Sequence, residues 1–395
     1  MTTTTPAGTV PKTLPFLDLL RFFAALLVML NHLRVEQFAP YGEVQAGSKV
    51  FKTLFFCVTR IGFESVLLFF VLSGFLVGGM SVERALRGQF APGKYFIDRF
   101  SRIYTPLAPA LAFDVVICLS FGIAFSWREA GLNLLSLQGV LCQPFSGNSA
   151  LWSLSYEVWF YILAGAVLVL IGRHGNSARV TPLLLMFAAF LVFLRLDTAY
   201  LFAWTTGLVC YFLGRAARPK LFWLGAITLT LLGLVLMQIT SQSAQIDLMA
   251  FSFVDRSFAV VVFALGLGLL VSAFAHLETA SPFWQRMTVC GTFASKFSYS
   301  LYLFHIRMII LMLKLGCSIA TPCWTLAPSS PTSRIWRSCS QPPICSTSVL
   351  RSTRLKCAIF STAIFSPLPC QTRLFHSELF EFFRGHSRAA ASCEM

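Results

Sequence analysis

Residues 14–33 read LPFLDLLRFFAALLVMLNHL. This apolar run has the length that a bilayer core demands of a helix, about 20 residues, yet it holds Asp18, Arg21 and His32. An Arg or Asp at the centre of a spanning helix costs about 2.5–3.5 kcal/mol on insertion scales. Arg21 and His32 are eleven positions apart and return to nearly the same azimuth, and Asp18 lies within about 60° of them. The three polar groups therefore form one stripe, expected to face the interior of a helix bundle. At 1.5 Å per residue Arg21 and His32 are about 16 Å apart along the axis, too far to touch, so they serve two ends of a site. The plainer alternative pairs Asp18 with Arg21 near one membrane face and leaves His32 among the headgroups of the other.

The rest of the chain has the same character. Of 395 residues 56% are hydrophobic and 12% charged, against about 25% charged in soluble domains, and the mean hydropathy is +0.72. The class is all-α, a polytopic membrane bundle. Nine segments are candidate spans: 14–34, 62–80, 104–125, 151–171, 181–196, 199–214, 221–239, 256–275 and 293–314. The fifth and sixth are short and separated by RLDT, which predicts a tight helical hairpin. Thirteen Lys and Arg fall in the alternate loops that share a side with the N-terminus, and seven in the others. That asymmetry predicts a cytoplasmic N-terminus and an inner-membrane protein; residues 317–395 supply five of the formal +15, and basic cytoplasmic loops account for the other ten without nucleic acid as a partner. The opening MTTTTPAGTVPK lacks the features of a cleaved leader, so residues 1–13 are expected to be a short cytoplasmic tail.

The chain changes at Cys317. Residues 317–395 contain fourteen Ser, seven Pro and seven of the twelve Cys, but no Asp. This segment is expected to be unstructured or the product of a shifted reading frame, and no function is placed there. The five earlier cysteines include no C-x-x-C pair and read as small apolar packing residues. No metal site is expected. There is no convincing internal repeat, which weakens a transporter built from inverted repeats.

Five stretches, taken in order, resemble the acyltransferase-3 family of membrane-bound acyltransferases: LDLLRFFAALLVMLNH (17–32), LFFVLSGFLV (68–77), YFIDRFSRIYTPL (95–107) with Arg99 and Arg102 as its R-x-x-R pair, NSALWSLSYEVWFYIL (148–163) and FSYSLYLFHIRMII (297–310). The resemblance covers residues 14–316 and implies transfer of an acyl group, commonly acetyl, from acyl-CoA to a hydroxyl of a surface carbohydrate, glycolipid or related metabolite. It also implies a tenth, closing helix, for which residues 317–395 offer no apolar span, so that helix is expected to be lost. Two departures stand out: Arg307 where the family commonly has Pro, and SVLL (65–68) in place of an acidic lead-in, with Glu64 nearby but out of register.

Each implied role has a physical reason and a plainer rival. Arg99 and Arg102, i and i+3, present planar cations suited to the phosphates of coenzyme A, or simply obey the positive-inside rule; Arg21, near the same face, joins them. His32 has the proton affinity to take the proton of an attacking hydroxyl, or is an interfacial histidine; an acyl-histidine relay fits as well. Glu157 is expected at His32's depth, to orient the imidazole, bind sugar hydroxyls or pair with a base. Trp152, with Tyr156 and Trp159, is a membrane-interface belt or a sugar platform. His305, mid-span, needs a partner such as Tyr302 or Tyr299, or touches substrate. Asp18 supports Arg21. The partners are the bilayer and a carbohydrate or lipid-linked acceptor. A glycolipid transporter or flippase would also bury Arg, Asp and His in a bundle, and a truncated, inactive family member is the third reading.

Overall fold

In the computed structural model, residues 15–316 are described, apart from 40, 43, 45–47, 173–178, 214–218, 241–254 and 276–281. Both the 1–13 tail and residues 317–395 lie outside the described residues. Twelve α-helices follow one another: α1 (Pro15–Gln37), α2 (Lys49–Thr59), α3 (Gly62–Ser73), α4 (Met80–Leu86), α5 (Pro92–Phe121), α6 (Trp127–Leu134), α7 (Trp152–Ile171), α8 (Val180–Phe193), α9 (Thr198–Tyr211), α10 (Lys220–Ile239), α11 (Arg256–Ala275) and α12 (Pro282–Lys314). No strand occurs among the described residues, only an isolated bridge between Gln138 and Cys142. This is the all-α architecture a bilayer imposes, because helices satisfy their own backbone.

Among the described residues, seven stretches are long and apolar enough to cross a membrane. They coincide with seven of the nine spans read from the sequence, and the other two are the 14-residue helices α8 and α9. These two do not form a packed hairpin. α8 lies mainly on α7, whereas α9 is held against α3 and α11. Lipid-facing apolar side chains remain exposed on α8 and α10, among them Leu184, Phe187, Phe190, Leu224 and Leu231.

Small residues set the close contacts, as expected where no hydrophobic force drives helix against helix. A Cβ on Gly74 would sit 1.8 Å from the Trp204 carbonyl oxygen, and one on Gly207 would sit 2.0 Å from that of Val71. The backbones of α3 and α9 therefore run side by side in contact. Gly291 of α12 leaves room for Leu19 of α1, and further along the same two helices His32 meets His305, so α1 and α12 are parallel. Between α3 and α4 the backbone widens into a π-helix, Gly74–Gly79, which begins in the LFFVLSGFLV stretch. α5 runs through Pro106 and Pro109 and ends at Gly122, whose φ of 63° is the left-handed cap that glycine makes without strain.

The segment between α5 and α7 folds as a compact cap. Asn133 donates through Nδ2 to the carbonyls of Glu129 (2.9 Å) and Gln143 (3.0 Å), and its Oδ1 accepts from the Phe145 amide (3.1 Å). Trp159 reaches from α7 to donate to the Ser136 carbonyl. Burial, then the Glu129 carboxylate, pushes the Cys142 thiol up from its ordinary value, so it is a packing group here and a weak nucleophile.

Candidate active site

Two clusters occupy opposite ends of one interior face. At the first end, Arg21 of α1 pairs with Asp18 at 3.4 Å, both largely buried. Arg21 is also within electrostatic range of Arg102, Tyr161 and Glu157. Arg102, on the third turn of α5, is exposed, and its charge is felt at Tyr161 and Tyr299. Arg99, half-buried one turn earlier, acts on Tyr95 instead. Of the R-x-x-R pair, then, Arg102 is the member that acts on Arg21, and both lie on α5.

Glu157 belongs to this end. Its Oε1 accepts from the Tyr161 hydroxyl at 2.6 Å. Because that bond uses Tyr161's only proton, the 3.0 Å contact between Ser73 and Tyr161 has Ser73 as donor, and Ser73 in turn accepts from Trp204 Nε1 at 3.2 Å. The relay Trp204 to Ser73 to Tyr161 directs every donor toward the carboxylate, which is how a charged acceptor is kept in a bundle interior. Glu157 thus bonds Tyr161 and acts electrostatically on Arg21, and among the described residues it makes no hydrogen bond to His32. Sequence reasoning missed Ser73 and Tyr161, since a hydroxyl in an apolar run carries no distinctive signal. Tyr299 Oη is buried with no hydrogen-bond partner among the described residues.

At the other end, the rings of His32 and His305 lie 5.1 Å apart, inclined at 47°. His305 is 3% exposed. Its Nδ1 lies 2.8 Å from the Tyr302 carbonyl oxygen and 3.2 Å from that of Leu301, so its anchors are backbone carbonyls. Tyr302 turns elsewhere, bonding Ser153 Oγ at 2.8 Å and the Ala150 carbonyl at 3.0 Å. Trp152 stacks flat on Phe63, ring centroids 5.6 Å apart, and packs on Tyr156 and Tyr200.

A third group, unforeseen as a set, frames this end. Arg307 and Asp114 are each 1% exposed and form an ion pair, Nε to Oδ1 at 3.0 Å, off the axis of a straight hydrogen bond. Arg307 Nη2 also donates to the carbonyls of Phe145 (3.0 Å) and Ser146 (2.7 Å). Asn148, fully buried, donates to Asp114 Oδ2 at 3.0 Å. His305 thus sits between Tyr302 and Arg307, both tied to the same 145–153 segment. Asp114 could have been found by the rule that singled out Asp18, an acid within an apolar run. Among the described residues no three His, Cys, Asp or Glu gather in a way that would hold a metal.

Fold and site together define a polytopic membrane protein with a buried, ionisable interior. A family model described as an acyltransferase domain matches residues 14–333, and the chain belongs to that acyltransferase-3 family. The match runs past residue 316, to 333. Acyltransferase MdmB of Streptomyces mycarofaciens is 31% identical over 159 residues, which cover 38% of this chain and 38% of that protein. The chain thus aligns with well under half the length of that relative. No solved structure matches it.

Proposed function

We propose that the protein takes an acyl group, acetyl for preference, from acyl-CoA on the cytoplasmic side of the inner membrane and transfers it to a hydroxyl of a carbohydrate or lipid-linked acceptor presented from the other side. The observation that carries this reading is the approach of Arg21 and Arg102. The two guanidiniums repel across their electrostatic range; Asp18 pairs with Arg21 and Glu157 adds attraction there, while Arg102 is exposed to a further anion. An anionic ligand between them removes that repulsion, and a phosphate of coenzyme A has the charge and the bidentate geometry to do so. Arg99, one turn away, extends the same cationic face.

The thioester end of the donor then extends along the interior face toward His32, about 16 Å from Arg21 by helix rise. His32 takes the proton of the acceptor hydroxyl as its oxygen attacks the thioester carbonyl. The new C–O bond replaces C–S, and the thiolate of coenzyme A leaves and recovers a proton. General-base catalysis of this kind contributes about 10²–10⁴-fold. Glu157, held by Tyr161, fits a place along the donor's path. Trp152 and Tyr302 support the outer end.

The test is label transfer from radiolabelled acetyl-CoA in membranes holding the full chain. His32→Ala is expected to lower transfer by at least about 100-fold. Arg99→Ala/Arg102→Ala is expected to raise the KM for acetyl-CoA. Full activity in both sinks the assignment, and a protein that binds no acyl-CoA at all points instead to transport.

A further inference from the structure

The reaction above leaves one question open: what holds the His32 ring so that one nitrogen faces the hydroxyl with a lone pair. In soluble acyl-transfer sites a carboxylate often does this, but Glu157 is committed to Tyr161 at the other end. What the structure places beside His32 is a second imidazole.

The chemistry of His305 fixes its own protonation. Both groups near Nδ1 are backbone carbonyls, which only accept, so Nδ1 carries the hydrogen. In the neutral ring Nε2 is therefore an acceptor. That atom is buried and has no partner among the described residues, a position that costs free energy unless something donates to it. The ring of His32 lies 5.1 Å away between centroids, and hydrogen bonds of this kind are commonly long before substrate binds and shorten in the working complex.

We propose that His305 is the positioning residue of a histidine pair: its Nε2 accepts an N–H from His32, leaving the other ring nitrogen of His32 as the base. This deepens the proposed acyl transfer and rests on it. When His32 takes the hydroxyl proton, the imidazolium keeps its N–H directed at His305 Nε2, whose lone pair stabilises the new charge. The carbonyls of Leu301 and Tyr302 in turn stabilise the polarised His305 ring. The proton then passes from His32 to the leaving thiolate, and His305 ends as it began. A neutral orienting group also avoids placing a second carboxylate in the membrane interior. The rigidity this needs comes from Tyr302 and Arg307, which tie the turn bearing His305 to residues 145–153.

Two substitutions separate orientation from mere packing. His305→Asn retains an amide near the Nδ1 position, able to donate to the same carbonyls, but has no atom where Nε2 was. His305→Gln places an amide oxygen near the Nε2 position and can still accept from His32. Transfer from radiolabelled acetyl-CoA in membranes, with thermal unfolding in detergent measured in parallel, is expected to fall at least about 100-fold in His305→Asn. His305→Gln is expected to retain ten times the activity of the Asn variant or more, and neither should change the KM for acetyl-CoA by more than about twofold, since the donor's charged end binds elsewhere. In a His32→Ala background the same substitutions should cost nothing further, because His305 acts only through His32. A Gln variant no better than the Asn variant overturns the pairing, as does additivity with His32→Ala. If the Asn variant does not fold, His305→Met fills the same volume, and a folded Met variant with a tenth or more of wild-type activity overturns it equally. Full activity in His32→Ala itself would sink the acyl-transfer site instead, so the two failures are distinct.

Discussion

Burying the Arg307 guanidinium inside a membrane bundle carries a large desolvation cost, and its surroundings show how that cost is offset. Asp114 supplies the counter-charge, the carbonyls of Phe145 and Ser146 accept from Nη2, and Asn148 satisfies the second carboxylate oxygen. Removing one partner leaves a charge with no compensation, so Asp114→Asn or Arg307→Met is expected to lower stability by about 3–5 kcal/mol, while Asp114→Leu/Arg307→Leu should cost less than either single change. Thermal unfolding of the detergent-solubilised chain gives the comparison; a double variant as damaged as the sum of the two single ones means that the pair does not act as a unit. Single residues were legible in the sequence where a charge interrupted the first apolar run, which is why Asp18, Arg21 and His32 could be singled out from spacing; Glu157 and His305 came through the family resemblance, and Asp114, an acid in another apolar run, was passed over. Their partners were not legible. Helical azimuth says which way a side chain points along its own axis but not which helix stands opposite, so nothing in the sequence joined His32 to His305 or Glu157 to Tyr161.

Helix–helix contacts put a different constraint on the chain. Gly74 and Gly207 let the backbones of α3 and α9 touch, at a point where the helix has just widened into its π-turn and where Ser73 bonds Tyr161 and Trp204. π-turns recur at functional sites, and this one aligns the Ser73 hydroxyl with the relay to Glu157. Any side chain at either glycine must push the two helices apart. Gly207→Val is expected to destabilise the protein by about 1–3 kcal/mol or more, with a loss of transfer activity. Gly225→Ala on α10, where an added Cβ meets nothing within 4 Å, should fall within about 0.5 kcal/mol of wild type. Equal unfolding temperatures for the two variants would show that the close approach is not limiting. At this scale hydropathy located the long spans, because length and apolarity are properties of each segment alone. The neighbours of α8 and α9 were not readable, since a four-residue connection suggests a hairpin and only tertiary packing sends one helix to α7 and the other to α3 and α11. α2 was also missed: its 11 residues are too few to span, and its two lysines disguise it as a basic loop.

Over the whole molecule, donor and acceptor are proposed to meet inside a bundle entered from two sides, and this depends on which face of the membrane each cluster serves. The parallel α1 and α12 carry Arg21 and Gly291 toward one face and His32 and His305 toward the other. The helix bearing Arg102 starts at that first face, and the Asn133 cap covers the second. If the loop charges set the orientation, Lys94, exposed at the start of α5, faces the cytoplasm, and Arg128, exposed in the cap, faces outward. Lys94→Cys and Arg128→Cys, each in a background with the native cysteines replaced, separate the two arrangements. A membrane-impermeant maleimide applied to intact cells should label the Arg128→Cys variant and reach Lys94→Cys only after permeabilisation. The reverse pattern would put the arginine cluster outside, away from cytoplasmic acyl-CoA, and the two-sided reaction would then have to be abandoned even if His32 proved essential.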